Sequence, residues 1–220
     1  PGVRFGAALA IGDVNGDGHP DLVVGVPGAT RRGPADTGGG WVDVVPGSRD
    51  GLRGRSIVIR PGRGGVPGPG RAGDRFGAAV AVADVDGSGA ADLLVGAPGR
   101  QVAGAANAGA FTSIALRRDF RVRSARMQTQ NSAGIAGVAQ PPDRFGESLT
   151  TEDVDSDGFP DVIVAAPGDR IRGKSAAGQV VRIPGSVTGL DLDESRTLHQ
   201  DTRGVGNAVE PRDRFGAALG

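Results

Sequence analysis

Apolar residues in this chain fall in short runs separated by glycine, proline and aspartate, and no stretch sustains the 3.6-residue apolar period of a helix. In the first run Phe5, Ala7, Leu9 and Ile11 alternate with Gly6, Ala8 and Ala10, which predicts a strand flanked closely on both sides. A nine-residue acidic turn follows, then a second run from Leu22 to Val26 closed by Pro27-Gly28. A third run occupies Gly40–Val45, with counterparts at Gly109–Ile114 and Gly178–Ile183. A weaker fourth lies at Ser56–Arg60, Phe120–Arg126 and Leu190–Leu198. The pattern predicts an all-β chain with almost no helix.

The runs repeat. RFGAALAIGDVNGDGHPDLVVGVPG begins at Arg4, RFGAAVAVADVDGSGAADLLVGAPG at Arg75, RFGESLTTEDVDSDGFPDVIVAAPG at Arg144, and RFGAALG at Arg214. Phe5, Phe76, Phe145 and Phe215 stand 71, 69 and 70 residues apart. Four short strands per unit at a fixed interval predict the blades of a β-propeller. The expected division is three four-stranded blades at 3–73, 74–142 and 143–212, with 213–220 as the first strand of a fourth. About four to eight blades close a ring, so the expectation is a partial propeller. The remaining blades would come from the same longer chain or from a second copy.

Each repeat carries an acidic turn between its first two strands: DVNGDGHPD (Asp13–Asp21), DVDGSGAAD (Asp84–Asp92) and DVDSDGFPD (Asp153–Asp161). Oxygen-bearing side chains occupy positions 1, 3, 5 and 9, with glycine at position 6 (Gly18, Gly89, Gly158). This spacing matches the first half of a calcium loop, in which alternate side chains converge on one point and the position-7 carbonyl adds a ligand. The candidate metal ligands are Asp13, Asn15, Asp17, His19 and Asp21 in the first turn. They are Asp84, Asp86, Ser88, Ala90 and Asp92 in the second, and Asp153, Asp155, Asp157, Phe159 and Asp161 in the third. His19, Ala90 and Phe159 would contribute their carbonyls. Position 12 of a helix–loop–helix site needs glutamate, but Val24, Val95 and Val164 stand there, so the ninth-position aspartate must close the shell.

Ten of the 25 acidic residues sit in these 27 positions, with no lysine or arginine among them. Clustered carboxylates repel one another, and a divalent cation turns that repulsion into binding. Oxygen-only ligands favour Ca2+, up to three ions. The competing reading is a set of Asp/Gly turns that merely suit tight hairpins. Ser88 in place of an aspartate predicts the second site to be the weakest. An arginine reaching in from elsewhere to neutralise these carboxylates would contradict the metal reading.

At Phe5-Gly6, Phe76-Gly77 and Phe145-Gly146, at the acidic turns, and at Gly25-Val26-Pro27, Gly96-Ala97-Pro98 and Ala165-Ala166-Pro167, the chain resembles the FG-GAP repeat family. The best-known members of that family are the integrin α-subunit propellers. The resemblance implies calcium in the hairpin turns on one face of the ring. It also implies a protein or glycan ligand on the opposite face, through loops near Ala29–Gly39, Pro61–Asp74, Arg100–Ala108, Asn131–Asp143 and Asp169–Ala177. It implies an extracellular setting, secreted or at the cell surface, where bacterial relatives sometimes sit beside an enzyme domain. The resulting expectation is a non-catalytic interaction or adhesion scaffold, with the accessory propeller of a secreted hydrolase as the rival.

Composition narrows the classes further. A net charge of zero argues against nucleic acid as a partner. No apolar run reaches the roughly 18–20 residues of a spanning helix. Cysteine is absent, so no disulfide framework exists. The Gly68–Gly73 string matches GxGxxG but reads as a Pro/Gly loop, and no catalytic motif is present. Arg117, Arg118, Arg121, Arg123 and Arg126 read as a solvated outer edge rather than an anion site, and Trp41 as core or inter-blade packing. Glu147, where Ala7 and Ala78 stand in the other repeats, predicts either a wet central channel or a blade lacking its neighbours.

Overall fold

A computed structural model describes residues 2–28 and 38–219. The loop expected at Ala29–Gly39 therefore lies almost wholly outside the described residues. The structure is a partial β-propeller: three four-stranded antiparallel sheets in chain order, with no helix among the described residues. The first blade holds β1 (Leu9–Gly12), β2 (Asp21–Val26), β3 (Trp41–Val45) and β4 (Ile57–Ile59). The second holds β5 (Val80–Ala83), β6 (Asp92–Ala97), β7 (Ala110–Leu116) and β8 (Val122–Gln128). The third holds β9 (Leu149–Glu152), β10 (Asp161–Ala166), β11 (Gln179–Ile183) and β12 (Arg196–Leu198). Each sheet is a simple meander, and β1, β5 and β9 lie side by side as the inner strands.

Alternation buries both faces of the middle strands. In β6, Leu93 and Val95 face the first blade's Val23, Val42 and Val44, whereas Leu94 joins Phe111, Phe145 and Val162 on the other side. Phe76 and Phe145 are the wedges between blades, 2% and 0% exposed, and each contributes about 1.5–3 kcal/mol by burial. Phe145 meets Phe111 edge to face, with centroids 5.8 Å apart. Phe5, at the free side of the first blade, is exposed together with Leu9 and Ile11.

One expectation needs correction. The inner strand does not begin at the phenylalanine: Phe5–Ala8 form a turn, and β1 starts at Leu9. The reason is backbone geometry. The arginine and glycine that flank each phenylalanine both take positive φ, as in Arg75 (61°) and Gly77 (88°). That conformation is incompatible with a strand and drives the ring into the blade junction. The same turn explains the Gly-Ala-Pro glycine: a Cβ at Gly25 would lie 2.1 Å from the Gly77 carbonyl oxygen, and one at Gly96 would lie 2.1 Å from that of Gly146. Residues 213–219 repeat the opening, with the Phe215 amide donating to the Ala177 carbonyl at 2.8 Å, but no fourth-blade strand forms among the described residues.

Trp41 is buried against Val26, and its indole donates to Asp43 Oδ2 at 3.0 Å. Glu147 is largely buried and paired with Arg144 at 2.8 Å and with Arg75 of the second blade at 3.8 Å.

Candidate metal centre

The three acidic turns lie along one face. The Ala91 amide of the second turn donates to the Asp13 carbonyl of the first at 2.8 Å, and the Ser186 amide, just after β11 in the third blade, donates to the Val85 carbonyl of the second turn at 3.1 Å. Within each turn the first aspartate accepts several amides at once. Asp13 takes Gly16 (2.8 Å), Asp17 (3.0 Å) and Gly18 (2.7 Å), Asp84 takes Ser88 (2.9 Å) and Gly89 (2.8 Å), and Asp153 takes Asp157 (3.1 Å) and Gly158 (3.0 Å). Glycine at position 6 permits this wrap through its positive φ, 89° at Gly18, 85° at Gly89 and 93° at Gly158. The third and fifth side chains cap the amide two residues on: Asn15 that of Asp17, Asp86 that of Ser88, Asp17 that of His19 and Asp157 that of Phe159. These bonds turn the backbone around a common centre and leave carboxylate lone pairs over.

The structure brings together two carboxylate groups suited to a cation. Asp84, Asp86 and Asp92 have oxygens within 4.8 Å of one another, as do Asp153, Asp155 and Asp157. The first turn has only Asp13, Asp17 and Asp21, with the neutral Asn15 at its third position and His19 partly buried at its seventh. The Ser88 hydroxyl leans 3.4 Å toward the Ala90 carbonyl.

The ninth-position aspartates, at the mouths of β2, β6 and β10, are all buried and differ in how they are closed. Asp21 accepts the Val14 amide at 3.1 Å and the Gly47 amide at 2.8 Å, and burial raises its pKa. Asp92 Oδ2 is buried with no hydrogen-bond partner. Burial, joined by the negative charge of Asp86, pushes Asp92 up to about 7. Asp161 is held by Arg182, whose Nε and Nη2 donate to its two oxygens at 2.8 and 2.9 Å while Nη2 also grips Asp155. That fork holds the Asp155 carboxyl below the usual range.

The condition set against the metal reading is thus met at the third turn. At the second it is met in part: Arg123 reaches one oxygen of Asp86 at 3.0 Å from the bulge in β8, with its own side chain 42% exposed. Burial alone would raise Asp86, but the Ser88 hydroxyl and amide and the Arg123 charge prevail and lower it. At the first turn no arginine side chain contacts the carboxylates among the described residues; Arg118 accepts the Asn15 amide through its carbonyl at 3.2 Å, and its charge adds to the Asn15 hydrogen bond in holding Asp17 below the usual range. The outer basic run is accordingly not just a solvated edge, since two of its members touch the acidic turns. Sequence reasoning missed Arg182. Its signal was a lone charge inside an apolar strand, where the register places Val44 and Ser113 in the other blades.

The second turn is suited to a hard cation. A buried carboxylate oxygen without a donor costs on the order of 1–3 kcal/mol or more, and a cation among Asp84, Asp86 and Asp92 removes that cost.

Residues 5–43 and 145–181 match the model of the FG-GAP repeat. The chain is 30% identical over 182 residues to phosphatidylinositol-glycan-specific phospholipase D of Rattus norvegicus, covering 80% of this chain and 20% of the relative. It is 32% identical over 202 residues to integrin alpha-V of Gallus gallus, covering 88% of this chain and 16% of that protein. With integrin alpha-IIb of Homo sapiens it shares 33% identity over 170 residues, 74% of this chain and 15% of the relative. The chain therefore spans a fifth or less of the length of these curated relatives. With the repeats, the blade architecture and these matches in agreement, the chain carries FG-GAP repeats arranged as propeller blades.

Proposed function

We propose that this chain is a calcium-stabilised, non-catalytic propeller segment that serves as an extracellular interaction scaffold. The single observation that carries the reading is the orphaned, buried Asp92 oxygen beside Asp84 and Asp86. Calcium bound there would supply the missing positive charge. Because the second turn joins β5 to β6 at the heart of the middle blade, that binding free energy would add to folding stability. Asp13, Asn15, Asp17, the His19 carbonyl and Asp21 would form the corresponding set in the first turn, and Ser88 and the Ala90 carbonyl would complete the second. The orphaned oxygen makes the second turn the tighter site, the reverse of the order expected from Ser88 alone.

The blade division at 3–73, 74–142 and 143–212 gives each turn its own sheet, so each site would act independently. Similarity to integrin alpha chains supports a protein partner, met on the face opposite the turns, and an extracellular or cell-surface setting. Among the described residues no helix is long and apolar enough to cross a membrane. Similarity to the phospholipase D relatives favours the second reading, an accessory propeller attached to a hydrolase. In either case the proposed role of this segment is a non-catalytic one.

Isothermal titration of the chelator-stripped chain with Ca2+ tests the reading. Saturable binding is expected, with Asp92→Asn weakening it about tenfold or more. Absence of binding heat at millimolar calcium, together with no change in melting temperature, would contradict it.

A further inference from the structure

Three acidic turns of nearly one sequence meet three different closing groups, and the third strand decides which. Asp161 and Ile163 point to the same side of β10, and Ile163 pairs with Arg182 on β11. Arg182 is therefore diagonal to Asp161, within reach of a long side chain. The corresponding residue is Val44 in the first blade and Ser113 in the second, set by the pairs Val23–Val44 and Leu94–Ser113. Valine is apolar and fully buried, and serine is too short to reach the carboxylate.

The room that serine leaves is visible. A cavity of about 170 Å³ opens beside Ser113, lined also by Asp86, Asp92 and Gln128. The Asp92 Oδ2 and Gln128 Oε1 atoms are both buried there without partners. In the third blade the guanidinium meets both oxygens of Asp161 and one of Asp155, with the arginine side chain only 19% exposed and Asp161 1%. Arg123, on β8 beside the second turn, is a weaker counterpart, bound through one nitrogen to Asp86 and leaving Asp92 Oδ2 without a hydrogen bond.

We infer that Arg182 is the built-in cation of the third acidic turn, standing where a divalent ion stands in the first two, so that the chain holds two calcium ions and not three. The inference rests on the calcium reading given above. A guanidinium that engages both oxygens of the closing aspartate leaves that carboxylate facing an arginine, and a divalent ion brought beside it would be repelled by the fixed positive charge. Calcium also asks for six to eight oxygens, and with Asp161 and Asp155 engaged the third turn is left mainly with the half-buried Asp153 and the exposed Asp157. The third blade is then closed at any calcium concentration, whereas the first two depend on the ion.

Native mass spectrometry of the chelator-stripped chain, titrated with Ca2+ alone, counts the ions. The wild-type chain is expected to take up two, Arg182→Ser three and Ser113→Arg one. Three ions on the wild type, or two on Arg182→Ser, would overturn the inference and leave the calcium reading standing. No ions on any variant would overturn the calcium reading itself. An Arg182→Ser chain that folds only when calcium is added counts as support. If that variant folds under neither condition, Ser113→Arg decides: loss of one ion supports the inference, and retention of both overturns it.

Discussion

The two blade junctions share one backbone and carry opposite electrostatics on the face away from the acidic turns. Between the first and second blades, Asp74 pairs with Arg100 at 2.7 Å, both nearly buried. Between the second and third, the residue after Pro167-Gly168 is Asp169 where Arg100 follows Pro98-Gly99, so Asp143 faces another acid. Burial, with the charge of Asp169 added, pushes Asp143 up to about 7. Asp169 is raised by burial too, although Gln130 and Gln179 donate amides to its Oδ2. One position after the Gly-Ala-Pro sequence thus makes one junction an ion pair and the other a buried acid pair. The repeat fixes geometry, and single side chains fix charge.

The largest expected effect breaks what the junctions share. Gly96→Ala would put a Cβ 2.1 Å from the Gly146 oxygen, and Gly25→Ala would do the same against Gly77. Each substitution is expected to cost about 3 kcal/mol or more in urea denaturation, through overpacking and backbone shift. Similar losses at both sites would show that the backbone part of the comparison is common to the two junctions.

Next comes the first junction alone. Arg100→Ala leaves Asp74 buried without its counter-charge and removes a 2.7 Å bond to the Pro69 carbonyl. A loss of about 3 kcal/mol is expected, measured by chemical denaturation at pH 7. A loss below about 1 kcal/mol would mean that the pair is not desolvated.

The second junction should show itself through pH. Asp143 releases its proton near 3.8 when unfolded and near 7 when folded, so the folded chain holds the extra proton between those values. Its stabilising contribution is complete below about pH 4 and is lost as pH rises through 7, by at most about 1.4 kcal/mol per pH unit. Asp143→Asn should remove its share of this slope in the calcium-free chain and leave the share of Asp92, which is also raised to about 7, while Arg100→Ala should leave the Asp143 share in place. Melting curves between pH 4.5 and 7.5 read the difference.

The smallest effect belongs to Arg123→Ala. Its pair with Asp86 is partly exposed, so less than about 1 kcal/mol of calcium-free stability should be lost. Calcium affinity at the second turn should rise modestly, seen by titration calorimetry.

Much of the fold was legible because its signals are local. The second- and third-strand runs needed no partner to be recognised, and β2, β3, β6, β7, β10 and β11 fall on them within a residue or two. The Phe-Gly segment misled because its alternation is apolar like a strand, while Arg75 and Gly77 in positive φ bend it into a turn that no periodicity reveals. The acidic turns were readable as a spacing. What closes them was not, since Arg182, Arg123 and Gly47 arrive from other strands and loops, between 21 and 37 residues away in sequence. Asp143 and Asp169 likewise look ordinary until the second junction buries them together.

Differential scanning calorimetry of the full chain, first in excess chelator and then across a calcium series, bears most directly on whether an ion stabilises these blades. The melting temperature is expected to climb with calcium and to return to its starting value when chelator is restored. A melting temperature unchanged from chelator to millimolar calcium would contradict this and leave the turns as hairpins held by their own amides.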